Sequence, residues 1–162
     1  MKKIVLTFGL IAGVILSALM IATMPFIDRI GFDYGMVIGY TTMVLAFLLV
    51  FFGIRSYREN VGGGQISFGR AFGVGMLIVL IASIMYVIAW EIVYFNFIPD
   101  FADKYTAHLL EKSRAAGASP EQLAAEAQKM DSMKWMLNNP FINAAAALMN
   151  GLFNIHFIES IF

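Results

Sequence analysis

Glu91 is where chemistry would be sought first, because it is the one charge inside an otherwise apolar run from Phe72 to Ile98. An ionisable group at membrane depth is costly and by default marks function, a proton or cation path above all. Two placements are open. At the end of the hydrocarbon layer Glu91 would sit beside Trp90, Tyr94 and Phe95 in an interfacial aromatic belt. Deeper, it would face other helices and bond to Tyr86 or to an Asn of the last apolar stretch. That stretch carries Asn143, Asn150 and Asn154, whose spacings of seven and four put them on one helical face.

Other constellations are weaker. His156 and Glu159 stand three apart and could share a metal, but two ligands make an incomplete site and His108 lies far off in sequence. With no Cys in the chain, thiolate metal sites, disulfides and a Cys nucleophile are excluded. Neither paired carboxylates nor a Ser, His and Asp spacing suggests an enzyme, and nothing calls for a cofactor.

The stretch GGGQISFGRAFGVG from Gly62 nearly spells a phosphate-binding loop. It lacks the preceding strand, has Arg70 where Lys should reach the phosphates, and has Ala71 where a hydroxyl should hold magnesium. A structural reading serves better: the glycines permit a tight reversal and Ser67 caps the helix that follows. Arg55, Arg58 and Arg70 around this loop would meet anionic lipid headgroups.

These residues need elements to hold them, and composition says which. Sixty per cent of the 162 residues are hydrophobic and 14% charged, against roughly 45–50% apolar in soluble domains. An integral membrane protein is implied. Eleven basic and eleven acidic side chains cancel, so no global field calls for nucleic acid. Ile4 to Met24 and Tyr34 to Ile54 are each free of charge and long enough to cross a hydrocarbon layer of ~30 Å. The first follows Lys2 and Lys3 and could be a cleaved signal, but signal cores run roughly 7–15 residues, so a retained helix is expected. Phe72 to Ile98 supplies a third span, ended by Pro99 and Asp100, and Pro140 to Ile158 a short fourth.

From Phe101 to Asn139 the composition turns polar, divided at Gly117-Ala118-Ser119-Pro120. Ser119 and Gln122 form a capping-box pattern, and Leu123, Ala127, Met130 and Leu137 recur on one face of the helix that follows. The expected architecture is therefore all-α: four transmembrane helices (about 4–24, 34–54, 72–98 and 140–158) with a polar helical hairpin at 101–139 between the third and fourth.

Small residues recur at close-packing intervals: Gly9, Gly13 and Ser17; Gly31, Gly35 and Gly39; Gly69 and Gly73; Ala147 and Gly151. Such faces let helix backbones approach within one bundle, or join copies of the chain into a homo-oligomer. Lys2, Lys3, Arg55, Arg58 and Arg70 outnumber Arg29 of the first turn, so the amino end and the loop 55–71 are expected on the cytoplasmic side of a bacterial inner membrane. The echo of Phe8-Gly9 in Phe72-Gly73 is too short to be a repeat.

The run GIRSYRENVGGGQISFGRAFGVG, from Gly53 to Gly75, resembles the segment joining the second and third helices of the bacterial membrane family known as domain of unknown function 4199. Arg55 to Arg58, Gly64 to Phe68 and Pro99 match its pieces in order. The resemblance implies a small integral membrane protein and brings no activity or catalytic residues. A structural or accessory role in the cell envelope, docking a partner through the polar hairpin, is the expectation. A small transporter using Glu91 and the Asn face is the alternative.

Overall fold

A computed structural model describes residues 1–153, with side chains to residue 149. Every element among them is helical. Helix α1 (Lys2–Thr23) runs through a short 3-10 turn (Met24–Phe26) into α2 (Ile27–Ile30). The chain reverses at Gly31, whose φ of 83° belongs to the left-handed region that glycine enters without strain. Helix α3 (Phe32–Asn60) follows, then α4 (Phe68–Phe97), α5 (Phe101–Ala115), α6 (Pro120–Asn138) and α7 (Pro140–Phe153).

Three helical segments, 2–30, 32–60 and 68–97, are long and apolar enough to cross a membrane. The first two contain the runs 4–24 and 34–54 and extend past them, and the third begins four residues before the run 72–98 and ends one residue short of it. The clearest case is α3, which continues over Arg55, Arg58 and Glu59 to Asn60 because Arg55 donates to Glu59 one turn later at 2.8 Å. The loop expected over 55–71 is thus only about residues 61–67, and the apolar run ends before its helix does. Helix α7 is described for 14 residues, about 21 Å at 1.5 Å each, and the remainder of the expected span 140–158 lies outside the described residues.

Helices α1 and α4 form the most extensive pair, α3 lies against both, α7 packs on α4, and α5 packs on α6. The reason for the first pairing is legible in α1. A Cβ on Gly9 would lie 2.9 Å from Ile81 Cβ, and one on Gly13 would lie 2.9 Å from Met85 Cβ, so only hydrogen fits at either place. Gly53 of α3 does the same against Phe8 and Ile78, and Gly75 of α4 lies against Ile54 and Val50. The expected Gly69 and Gly73 face does not take part: nothing lies within 4 Å of a Cβ at either position. Gly39 is open too, and Gly35 meets only the Ile27 side chain.

Two buried clusters result. One, at the end carrying the chain's start, gathers Val5, Tyr57, Val74 and Ile78. The other gathers Met20, Trp90, Val93, Tyr94, Ile98 and Ala102, with Phe101, Leu137 and Ala147 packed against it.

The polar segment forms α5 and α6 with the expected cap. Ser119 N–H donates to Gln122 Oε1 at 2.8 Å and Gln122 N–H to Ser119 Oγ at 3.2 Å. The stripe Leu123, Ala127, Met130 and Leu137 is partly buried. The Gly-rich loop turns through Gly63 and Gly64 at φ 61° and 89°, a tight reversal as expected. Ser67 does sit at the N-cap position of α4, but its side chain makes no cap hydrogen bond, so that expected contribution is absent.

Candidate functional site: the inward face of the third long helix

The inward face of α4 carries Ser83, Tyr86, Trp90 and Tyr94 at the three-to-four residue spacing that stacks side chains on one side of a helix. Trp90 Nε1 donates to Asn143 Oδ1 of α7 at 2.9 Å, and Asn143 Nδ2 donates to the Leu137 carbonyl at 2.9 Å. Asn143 is only 2% exposed, so this one amide satisfies a buried indole and a carbonyl near the end of α6 together. Just beyond, Tyr94 Oη donates to Asn138 Oδ1 at 3.1 Å. Phe101 closes the group, its ring centroid 5.6 Å from Trp90 at an interplanar angle of 87°, the edge-to-face geometry that aromatic quadrupoles favour. Asn139 then starts α7 by accepting from the N–H groups of Phe141 and Ile142, both at 3.2 Å.

This arrangement revises the aromatic belt expected around Glu91. Trp90 and Tyr94 are turned into the bundle, 9% and 1% exposed, because their polar tips find partners on α6 and α7. Of the expected three, only Phe95 faces outward. Exposed aromatics at this end include Phe26, Tyr34, Phe97, Trp135 and Phe141, at or near helix ends. Nor does Glu91 join Tyr86 or Asn143. Its Oε1 is buried without a hydrogen-bond partner among the described residues.

Of the Asn face, Asn143 is placed as described, the side chain of Asn150 is not described, and Asn154 lies outside the described residues with His156 and Glu159. Among the described residues no three His, Cys, Asp or Glu side chains are grouped to hold a metal ion. Arg55 and Arg58 both reach Glu59, at 2.8 and 3.5 Å, and Arg70 is exposed.

Behind this polar cluster lies a cavity of about 480 Å³ between α1, α3, α4 and α7. Its walls are apolar side chains such as Leu16, Met20, Ile38 and Ala82, interrupted by Thr42, Ser83 and Tyr86. Thr42 donates to the Ile38 carbonyl within its own helix.

A second polar group was not anticipated from the sequence. Lys104 of α5 donates to Asp28 at 2.6 Å, and Lys112 to Asp33 at 2.8 Å. Phe32 lies between the pairs, 5.8 Å from Phe101, 5.5 Å from Tyr105 and 5.2 Å from His108 by ring centroids. His108 Nε2 stands 3.7 Å from Asp33, too far for a hydrogen bond. Lys104 also meets Asp100 at 2.8 Å, and Lys134 joins α6 to Asp103 of α5 at 2.8 Å. Hydrogen bonding to Asp100 and Asp28 raises the Lys104 ammonium above its ordinary range, and bonding to Lys104 lowers Asp100. Lys134 is raised by its bond to Asp103.

Residues 7–162 match the family described as Protein of unknown function (DUF4199). The chain belongs to that family. No match was found among curated proteins or among solved structures. In this DUF4199 member, then, three long apolar helices, a buried aromatic and amide cluster and an adjoining cavity are what a function must be built from.

Proposed function

We propose that the chain is a multi-pass protein of the bacterial inner membrane with a structural or accessory role, its polar hairpin serving as the docking surface for an envelope protein. The observation that carries this reading is how α5 and α6 are held. Two ion pairs and the Phe32 ring cluster fix α5 to the reversal between α2 and α3. Helix α6, in contrast, contains no fully buried residue and turns Gln128, Lys129, Asp131, Ser132 and Trp135 outward. A polar helix held on a rigid support, with a mixed-charge face and one exposed Trp, has the composition of an interaction surface.

Four spans are part of this proposal. Pro140 to Ile158 would form the fourth, returning the chain across the bilayer beside α4. Lys2, Lys3, Arg55, Arg58 and Arg70 against Arg29 alone in the first turn argue for a cytoplasmic amino end and loop, which puts the hairpin on the other side. Arg55, Arg58 and Arg70 are then the headgroup contacts. Association of copies would use Gly69 and Gly73, since Gly9 and Gly13 are already covered by α4.

The test is site-specific cross-linking in intact cells from Gln128 and Ser132. A discrete adduct of constant mass, lost on replacing Lys129, Asp131 and Trp135 together, supports docking. A featureless smear from both sites rejects it. The transport reading keeps one supporting observation, the unpartnered Glu91 Oε1. It loses Asn143 from its path, because that amide is committed to Trp90 and Leu137. Ion flux in liposomes that disappears with Glu91→Gln would favour it.

A further inference from the structure

We infer that the cavity between α1, α3, α4 and α7 holds one acyl chain of a bilayer lipid. The inference rests on the membrane reading above and goes beyond it by giving that cavity a ligand.

Depth and length come first. Along α4 the cavity is lined from Val79 to Trp90, which at 1.5 Å per residue is about 16 Å. One leaflet of a hydrocarbon layer of ~30 Å is about 15 Å thick. Val79 and Ser83 fall near the middle of the 30-residue helix α4, and Trp90 falls toward the end where α5 begins. Along α3 it is lined from Gly35 to Val50, about 22 Å at the same rise, so the cavity runs from the level of one interface to a little beyond the bilayer midplane, close to the length of a single lipid tail. Its volume of about 480 Å³ is in the range of pockets that take small molecules, roughly 300–1,000 Å³.

Access and lining agree. Phe47 and Gly39 of α3 line the cavity and are also exposed on the outside of that helix, so the space communicates with the helix surface that lipid would cover. Water would gain little there, since apolar side chains dominate the walls and an apolar cavity stays dry. Of the polar side chains on its walls, Thr23, Thr42, Trp90 and Asn143 are hydrogen-bonded within the protein, and the hydroxyls of Ser83, only 7% exposed, and Tyr86 have no hydrogen-bond partner among the described residues. A chain from the adjacent leaflet enters with no desolvation cost, because its tail is already in hydrocarbon.

Trp90 lines the cavity and the other Trp of the chain, Trp135, is 64% exposed outside it. A Trp135→Phe protein therefore carries a single reporter. It would be reconstituted into vesicles of phosphatidylcholine brominated near the middle of its acyl chains, and its emission compared with that in unbrominated vesicles. The expected result is a loss of Trp90 emission in the brominated vesicles, since the ring borders the cavity and is otherwise buried. Adding Gly39→Leu, where a Cβ meets nothing within 4 Å, should fill the space and restore most of the emission. Thr42→Leu, on the same wall, serves if Gly39→Leu does not fold. Equal emission in the two vesicles, or quenching that both filled variants leave unchanged, overturns the inference. Failure of the protein to float with vesicles after alkaline carbonate would instead overturn the membrane reading itself.

Discussion

The two buried clusters of this bundle solve one problem in opposite ways. At the end carrying the chain's start, α1, α3 and α4 meet through glycines, and the small cluster of Val5, Tyr57, Val74 and Ile78 is surrounded by close backbone approach. At the other end the space between the helices is filled by Trp90, Tyr94 and Phe101, with Trp90 and Tyr94 bonded to Asn143 and Asn138. Lipid gives helices no hydrophobic drive to associate, so either tight van der Waals contact or hydrogen bonding between helices must hold them. One end uses the first and the other end uses the second. The cavity falls between them, with Trp90 and Asn143 of the second end in its wall.

The comparison breaks most visibly if the glycine end can accept bulk. Gly13→Leu should destabilise the protein by about 1–3 kcal/mol or more, the usual cost of overpacking, because its Cβ would meet Met85 at once. Gly69→Leu and Gly73→Leu, at positions with open surroundings, should be near neutral. Thermal unfolding in detergent measures all three. Equal losses at the three positions would mean that spacing of small residues, and not the observed approach, sets the packing.

At the aromatic end the test is a double-mutant cycle. Asn143→Ala leaves the Trp90 N–H and the Leu137 carbonyl without their partner and should cost about 1–3 kcal/mol. Combined with Trp90→Phe, the coupling energy should come to about 0.6 kcal/mol and stay below about 1.7, as for interhelical hydrogen bonds in membranes. Zero coupling would leave aromatic packing alone to hold this end.

How much of this was legible beforehand follows from the kind of signal each feature leaves. The three long helices were readable because two uncharged runs of 21 residues and a third broken only by Glu91 have few other fates, and Ser119 with Gln122 because a capping box is local. The family followed from the Gly53 to Gly75 run. Which glycines would be covered was not readable, since Gly9 and Gly73 present the same spacing and differ only in what lies opposite. The interfacial belt of Trp90 and Tyr94 stayed open as a reading for the same reason: their partners, Asn143 and Asn138, are 53 and 44 residues away. The pairs Lys104 to Asp28 and Lys112 to Asp33 span still longer separations.

The smallest expected effect is in the charges that hold α5, and it sharpens the comparison because it should touch only one end. Asp100 is lowered by Lys104, so its contribution is present above the ordinary carboxylate range and is lost as pH falls through its folded value. Lys104 is raised by Asp100 and Asp28, so its contribution is complete below the ordinary lysine range and is lost as pH rises through its folded value. Both operate together between roughly pH 4 and pH 10. All these groups are exposed, so salt should weaken them as well. Amide exchange, corrected for its intrinsic pH dependence, should show the first turns of α5 loosening below and above that window and at high salt. The contact of Gly9 and Gly13 with α4 contains no charge and should not respond. If the two regions loosened together, α5 would be an integral part of the bundle's cooperative unit, and the separation of the two ends would fail.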